Sequence, residues 1–179
     1  VYVLGGAAAV TTAVDAVLRS SGFGVTRLAG ADRYATAVAI AGALGGPTAV
    51  FEVTGNNFAD ALAAGPPAAS TGAAILLTNG SSQATVTGTY VLLHPGTHYA
   101  VGGPAAQADP LATPLVGADR YVTAVDVAQA FYPRPPIIGF ATGSAFADAL
   151  TGGPAAATGS GPLLLLPPCG TVSPSVLSY

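Results

Sequence analysis

The sequence predicts an α/β fold with mainly parallel sheets, built as two tandem repeats, and three observations carry that expectation. A block of nine residues recurs: Gly30-Ala31-Asp32-Arg33-Tyr34-Ala35-Thr36-Ala37-Val38 returns as Gly117-Ala118-Asp119-Arg120-Tyr121-Val122-Thr123-Ala124-Val125. A second block follows each copy at nearly constant distance, Thr54-Gly55-Asn56-Asn57-Phe58-Ala59-Asp60-Ala61-Leu62 and then Thr142-Gly143-Ser144-Ala145-Phe146-Ala147-Asp148-Ala149-Leu150. Between these blocks, short β-rich runs that end at glycine alternate with Ala-rich stretches of helical periodicity, the pattern of a parallel sheet with crossover helices. Internal repetition sets the architecture first, and here it gives units at 1–96 and 97–179.

In the first unit, Val1–Leu4 is a strand stopped by Gly5-Gly6, and the apolar spacing of Val10, Ala13, Val14, Val17 and Leu18 predicts a helix over 8–19. Val25–Ala29 is the second strand. Asp32 then stands where an N-cap belongs, ahead of a helix over 34–44. Ala49–Thr54 is a strand by its β-branched content, and Phe58–Ala64 opens a helix that Pro66-Pro67 is expected to interrupt or kink. Ala73–Thr78 is a continuous apolar strand, as expected where both faces are covered. Thr85–Leu93 is ambiguous, helical by position and β-rich by composition.

The second unit opens at His98-Tyr99-Ala100-Val101-Gly102-Gly103, an echo of Tyr2-Val3-Leu4-Gly5-Gly6, and its first helix is nearly deleted. Strands are expected at 114–116, 137–142 and 162–166. Helices are expected at 121–131, capped by Asp119, at 146–158 despite Pro154, and at 172–179. Each unit is expected to hold its own sheet.

Composition excludes several classes. With five Arg, no Lys, eight acids and a net charge of −3, the chain has no basic cluster for nucleic acid, whose affinity rests on several phosphate contacts. The longest strongly apolar run, Pro162–Pro168, is far short of the ~20 residues of a spanning helix, so membrane insertion is not expected. Cys169 is alone, without a disulfide framework or metal-ligand spacing, and reads as a small buried hydrophobe. Val1-Tyr2-Val3-Leu4 lacks an initiating Met, which reads as a mature chain or an excised fragment.

An α/β topology gathers the polar residues that follow strand ends along one rim of the sheet, where open α/β folds bind ligands. Asp32, Arg33, Tyr34, Asn56 and Asp60 from the first unit, with Asp119, Arg120, Tyr121 and Asp148 from the second, are therefore the candidate ligand-binding set. Bland roles compete with that reading. Asp32 and Asp119 serve as helix caps, worth about 1 kcal/mol each. Asp60 and Asp148 complement a helix dipole, or pair with Arg33 and Arg120. Gly5-Gly6 and Gly102-Gly103 read as tight turns, since no G-x-G-x-x-G or Walker pattern accompanies them. His94 and His98 share one loop with no nucleophile or acid placed beside them, so no catalytic set, metal or cofactor is expected.

The run 27–37, with Thr54-Gly55, Phe58–Ala64 and Ala73–Thr78, resembles the type 2 cell-wall-binding repeat of Gram-positive surface proteins. Val3-Leu4-Gly5-Gly6 fits the strand before that run, and the match covers essentially the whole chain twice. The resemblance implies a Rossmann-like module, extracellular and non-catalytic, that anchors a protein by contacting an anionic secondary polymer attached to peptidoglycan. It also implies modules in threes around a pseudo-threefold axis, and a role in polymer binding for Ile75-Leu76-Leu77 and Leu163-Leu164-Leu165. The residues themselves read those runs as buried core.

The second unit departs from the pattern by its lost helix and by Pro114 in place of Arg27. With two units present, the chain is expected to be a fragment or to complete its surface by self-association with a third repeat or another copy. The competing class is a structural subunit of a surface layer or filament, favoured by few charges and many small residues. A wall hydrolase would need a catalytic constellation that is not visible in the sequence.

Overall fold

The computed structural model describes residues 1–168 and 172–179. Strands and helices alternate: β1 (Tyr2–Leu4), α1 (Thr12–Ser20), β2 (Thr26–Leu28), α2 (Arg33–Ala43), β3 (Ala49–Thr54), α3 (Ala59–Thr71), β4 (Ala74–Thr78) and α4 (Thr85–Leu93). The second half follows with β5 (Thr97–Val101), α5 (Gly103–Ala108), β6 (Thr113–Leu115), α6 (Arg120–Phe131), β7 (Gly139–Thr142), α7 (Ala147–Thr158), β8 (Leu163–Leu166) and α8 (Pro174–Ser178). All of the strand pairs are parallel, as the alternation requires.

The sheets are not confined to the units. A four-stranded sheet has the order β4-β3-β5-β6, so it takes β3 and β4 from the first repeat and β5 and β6 from the second. The expectation of one sheet per unit is thus corrected: the sheet straddles the repeat boundary, with Val50 in register with His98 and Val53 with Val101. Two-stranded halves remain at either end, β1-β2 and β7-β8. By repeat position β1 corresponds to β5 and β7 to β3, which each pair on both sides. The pairing that joins the repeats is therefore the one that β1 and β7 lack.

One face of the central sheet, formed by Phe51, Val53, Tyr99 and Val101, packs on Ala64 and Ala68 of α3 and on Val127 and Phe131 of α6. Phe51 and Tyr99 stack with ring centroids 5.0 Å apart, and Phe131 meets Tyr99 edge-on at the same separation. The opposite face buries Val50 and Leu76 against Ala41 of α2 and Tyr90 of α4. Leu163, Leu164 and Leu165 of β8 are buried beneath α6 and α7.

Helix α3 does not break at Pro66-Pro67, and α7 runs through Pro154. A proline within a helix costs about 3 kcal/mol, and here tertiary packing outweighs it. α3 lies between α6 and α7, with its Leu62, Ala63, Ala64, Pro66, Pro67 and Ala68 all buried. It ends at Gly72, whose φ of 67° gives the left-handed cap that terminates a helix. Thr85–Leu93 is helical, because Thr87 and Tyr90 bury one side of it. The deleted helix of the second unit survives as the six residues of α5. The reading of Cys169 falls outside the described residues.

Candidate functional site

Because β3 and β5 are neighbours, the turn after each faces the other, and a polar cleft of about 350 Å³ opens where the repeats meet. Thr54, Asn57 and Asp60 line it from the first repeat; Gly102, Asp119 and Arg120 line it from the second. This is the rim at the carboxyl ends of parallel strands that the topology favours for ligands.

Local chemistry sets each side chain. Asp119 Oδ1 accepts from the backbone N–H of Tyr121 and of Val122, both at 2.9 Å, and so caps α6. Asp32 does the same for α2, accepting from the N–H of Ala35 at 2.8 Å. Both thus cap a helix through Oδ1. Asn57 Oδ1 accepts from the Ala59 N–H at 3.3 Å, which orders the start of α3.

Arg120 Nη1 donates to the Gly143 carbonyl at 2.6 Å, and Arg33 Nη1 donates to the Gly55 carbonyl at 2.7 Å. Each arginine ties its helix to the turn after the next strand. Those turns need glycine: a Cβ on Gly55 would overlap the Tyr34 ring and one on Gly143 the Tyr121 ring. Arg120 also lies over the Phe58 ring at 5.9 Å, a cation–π contact between repeats. Phe58 meets Phe146 edge-on at 5.8 Å, so the repeated phenylalanines touch each other.

Asp60 projects into the cleft against Gly102. Burial raises its carboxyl above the usual carboxylate range, and the nearby Arg120 charge opposes that rise. The expected pairing of Asp60 with Arg33 and of Asp148 with Arg120 is not what forms. Among the described residues the ion pair is Arg27 with Asp15, at 2.6 Å, and Asp60 feels the arginine of the other repeat instead.

The sequence-predicted set is only partly assembled. Asp60, Asp119 and Arg120 share the cleft, whereas Arg33 and Asn56 line a separate hollow of about 410 Å³ with Phe58 and Phe146. The Tyr34 hydroxyl donates to Asn79 Oδ1 at 3.1 Å, in a further small hollow with Asp32. Tyr121 packs at the Gly143 turn, and Asp148 is exposed and meets neither. Asn57 also follows the end of β3 in the sequence and reaches the cleft, whereas sequence reasoning missed Phe58, which recurs as Phe146 in the repeated block. That reasoning also took Gly102 for a mere turn.

The apolar runs divide as well. Leu76 and Leu163–Leu165 are core, as read from the residues, but Ile75 and Leu77 are only half-buried. Those two line a wide groove of about 780 Å³ that also reaches Gly5, Gly30 and Arg33. The groove runs from the turn after β1 past α2 and α3 to β4.

Comparison with known proteins identifies the family and the fold. The profile of the cell wall binding domain 2 (CWB2) family matches residues 27–111 and again 115–178. The N-acetylmuramoyl-L-alanine amidase LytC of Bacillus subtilis (strain 168) is 30% identical over 173 residues, which cover 92% of this chain and 35% of LytC. Among solved structures, Cwp8 from Clostridium difficile superposes with a TM-score of 0.83 at 26% identity, covering 97% of this chain and 32% of Cwp8. Cwp6 from the same organism gives 0.81 at 24% identity, covering 93% of this chain and 29% of Cwp6, and speaks for the fold alone. The chain thus spans about a third of the length of each of these proteins. Its repeats, its parallel sheets and the family match over both units agree: the chain belongs to the cell wall binding domain 2 family, whose place is the extracellular cell wall and cell surface.

Proposed function

We propose that this chain is a non-catalytic module that anchors a protein to the Gram-positive cell wall by non-covalent binding of an anionic wall polymer, and that the cleft between the repeats takes part in holding it. The observation that carries this reading is the donor and acceptor set of the cleft. Arg120 offers a guanidinium suited to phosphate or carboxylate, while Asn57, Thr54 and Asp60 suit sugar hydroxyls. Such a mixture fits a glycan that carries anionic groups. The charge of Arg120 beside Asp60 offsets the repulsion that this carboxylate would exert on an anion. Arg33, Tyr34, Asn56, Tyr121 and Asp148 belong to the same rim and are proposed as secondary contacts.

A third unit belongs to this reading. β1 and β7 each pair on one side only, and they carry exposed apolar side chains such as Tyr2 and Phe140. Unpaired strand edges with apolar side chains are templates for further pairing. A third repeat would supply the missing neighbour to both, either in the same protein or from another copy. The boundaries at 96 and 97 then mark sequence repeats, with each full sheet shared between consecutive repeats.

The same edges favour a second reading, a subunit of a surface layer or filament. β7 of one copy can take β1 of the next, a head-to-tail contact that does not close by itself. Co-sedimentation with purified wall sacculi, before and after acid removal of secondary polymers, separates the two. The anchoring reading expects retention that is lost on stripping and weakened by a folded Arg120→Ala variant. Ordered assemblies seen by electron microscopy that ignore the sacculi would replace it with the structural reading.

A further inference from the structure

Glu52 lies in the middle of β3, the most buried strand of the central sheet, and its side chain is fully enclosed. Gln83 Nε2 donates to its Oε2 at 2.5 Å. Its Oε1 has no hydrogen-bond partner, and neither has Oε1 of Gln83, although both atoms are buried. A buried carboxylate oxygen without a donor costs several kcal/mol, and an aliphatic side chain would fill the same place without that cost. No arginine answers it, since the one ion pair among the described residues is elsewhere.

Two further groups converge on the same point. His98 is in register with Val50 and Ala100 with Glu52, so His98 shares a sheet face with Glu52, two residues along the neighbouring strand. Asp109 follows α5 and closes the third side; its Oδ1 accepts from the Leu111 N–H at 3.0 Å, which fixes the carboxylate. One donor atom from each of Glu52, His98 and Asp109 lies within 4.8 Å of the others. Burial above all pushes the Glu52 carboxyl up to about 7, against the lowering effect of the Gln83 hydrogen bond, and the neighbouring Asp109 carboxyl adds to the rise. Gln83, His98 and Asp109 also border a cavity of about 520 Å³, which gives an entry path from solvent.

We propose that Glu52, His98 and Asp109 form a divalent transition-metal site at the junction of the repeats, with the Gln83 amide oxygen as a further ligand or as the support of one, and with Zn²⁺ as the best fit. One imidazole with two carboxylates suits Zn²⁺, whereas Ca²⁺ and Mg²⁺ prefer oxygen alone. Ligand atoms around a tetrahedral Zn²⁺ stand about 3.3 Å apart, given bonds of about 2.0 Å, so a closure of roughly 1.5 Å by side-chain rotation brings the set to bonding distance. Two carboxylates balance the charge of the ion. The site belongs to the junction alone, because Phe140 occupies the position of Glu52 in the second repeat. Its ligands come from β3, β5 and the end of α5, so the ion would pin the first repeat to the second.

The test is Zn²⁺ titration by isothermal calorimetry on the chelator-treated chain, with thermal unfolding followed in parallel. One Zn²⁺ per chain is expected, with a Tm rise of about 5–10 °C at a hundredfold excess over Kd. Glu52→Gln keeps the shape and removes the charge, and Asp109→Asn does the same; each is expected to weaken binding at least tenfold while the chain stays folded. His94→Ala is expected to leave binding unchanged. Absence of stoichiometric binding overturns the proposal and leaves a carboxyl pair that shares a proton. Binding that survives Glu52→Gln and Asp109→Asn but is lost in His94→Ala overturns it too, since it would mark a surface site between His94 and His98.

Discussion

The Asp60 carboxylate stands where a side chain on Gly102 would begin: a Cβ built at Gly102 would overlap it. Asp60 opens α3 of the first repeat, and Gly102 ends β5 of the second at a φ of 85°. The two therefore record how closely the repeats approach. Their repeat counterparts lack the partner. Asp148 is exposed, and a Cβ at Gly5 would meet only Ala9. On the proposed reading, a further repeat would bring each of them the neighbour that Asp60 and Gly102 find in each other.

Gly102→Ala is accordingly expected to destabilise the chain by about 2–3 kcal/mol, through left-handed strain added to the overlap with Asp60. Gly103→Ala should be nearly neutral, because a Cβ there would meet Val116 only at 4.0 Å. Urea unfolding of both variants checks the contrast.

Asp60 predicts a pH dependence. Its folded carboxyl titrates above the ordinary value of 3.8, mainly through burial, so its contribution to stability is fully present below that value and is lost as pH rises through the raised one. Asp60→Asn should remove this part of the slope and leave the chain at least as stable at pH 7. Unfolding midpoints measured from pH 3 to 7 give the comparison. Removing Arg120 should push the Asp60 carboxyl further up, which a carboxyl NMR titration would follow.

The two arginines of the repeated block should differ. Arg120→Ala loses a hydrogen bond to Gly143, the contact with Phe58 and the attraction to Asp60, for about 2 kcal/mol in all. Arg33→Ala loses one exposed bond to Gly55, for about 0.5–1 kcal/mol. Denaturation of each single variant measures the gap.

The open edges predict concentration-dependent behaviour. In analytical ultracentrifugation the chain should associate weakly as concentration rises, and Phe140→Lys on β7 should suppress that association without unfolding the chain, since Phe140 is exposed. A sedimentation coefficient that stays constant with concentration would contradict the pairing of β7 with β1.

Much of the fold was legible because it is written in local chemistry. Glycine stops after β-branched runs marked strand ends, and Asp32 and Asp119 announced their helices as caps. The prolines of α3 do not interrupt it, because the packing that keeps that helix continuous comes from α6 and α7, far along the chain. The sheet that joins the repeats was hidden for a related reason. Parallel strands do not reveal in their own sequence which neighbour they take, and β3 and β5 look alike whichever repeat supplies the partner. The candidate site followed suit: each repeat displayed its own Asp and Arg, but the cleft combines Asp60 of one with Arg120 of the other. Glu52, His98 and Asp109 were invisible as a set, since their spacing matches no motif and only the β3–β5 register brings them together.

The central claim is that an anionic wall polymer is held at the junction of the repeats. Amide NMR of the labelled chain, titrated with the polymer released from walls by acid, tests it most directly. Saturable shifts centred on Asn57, Gly102, Gly117 and Arg120 are predicted. No shifts, or shifts confined to α1 and α8 at the far ends of the chain, would contradict it.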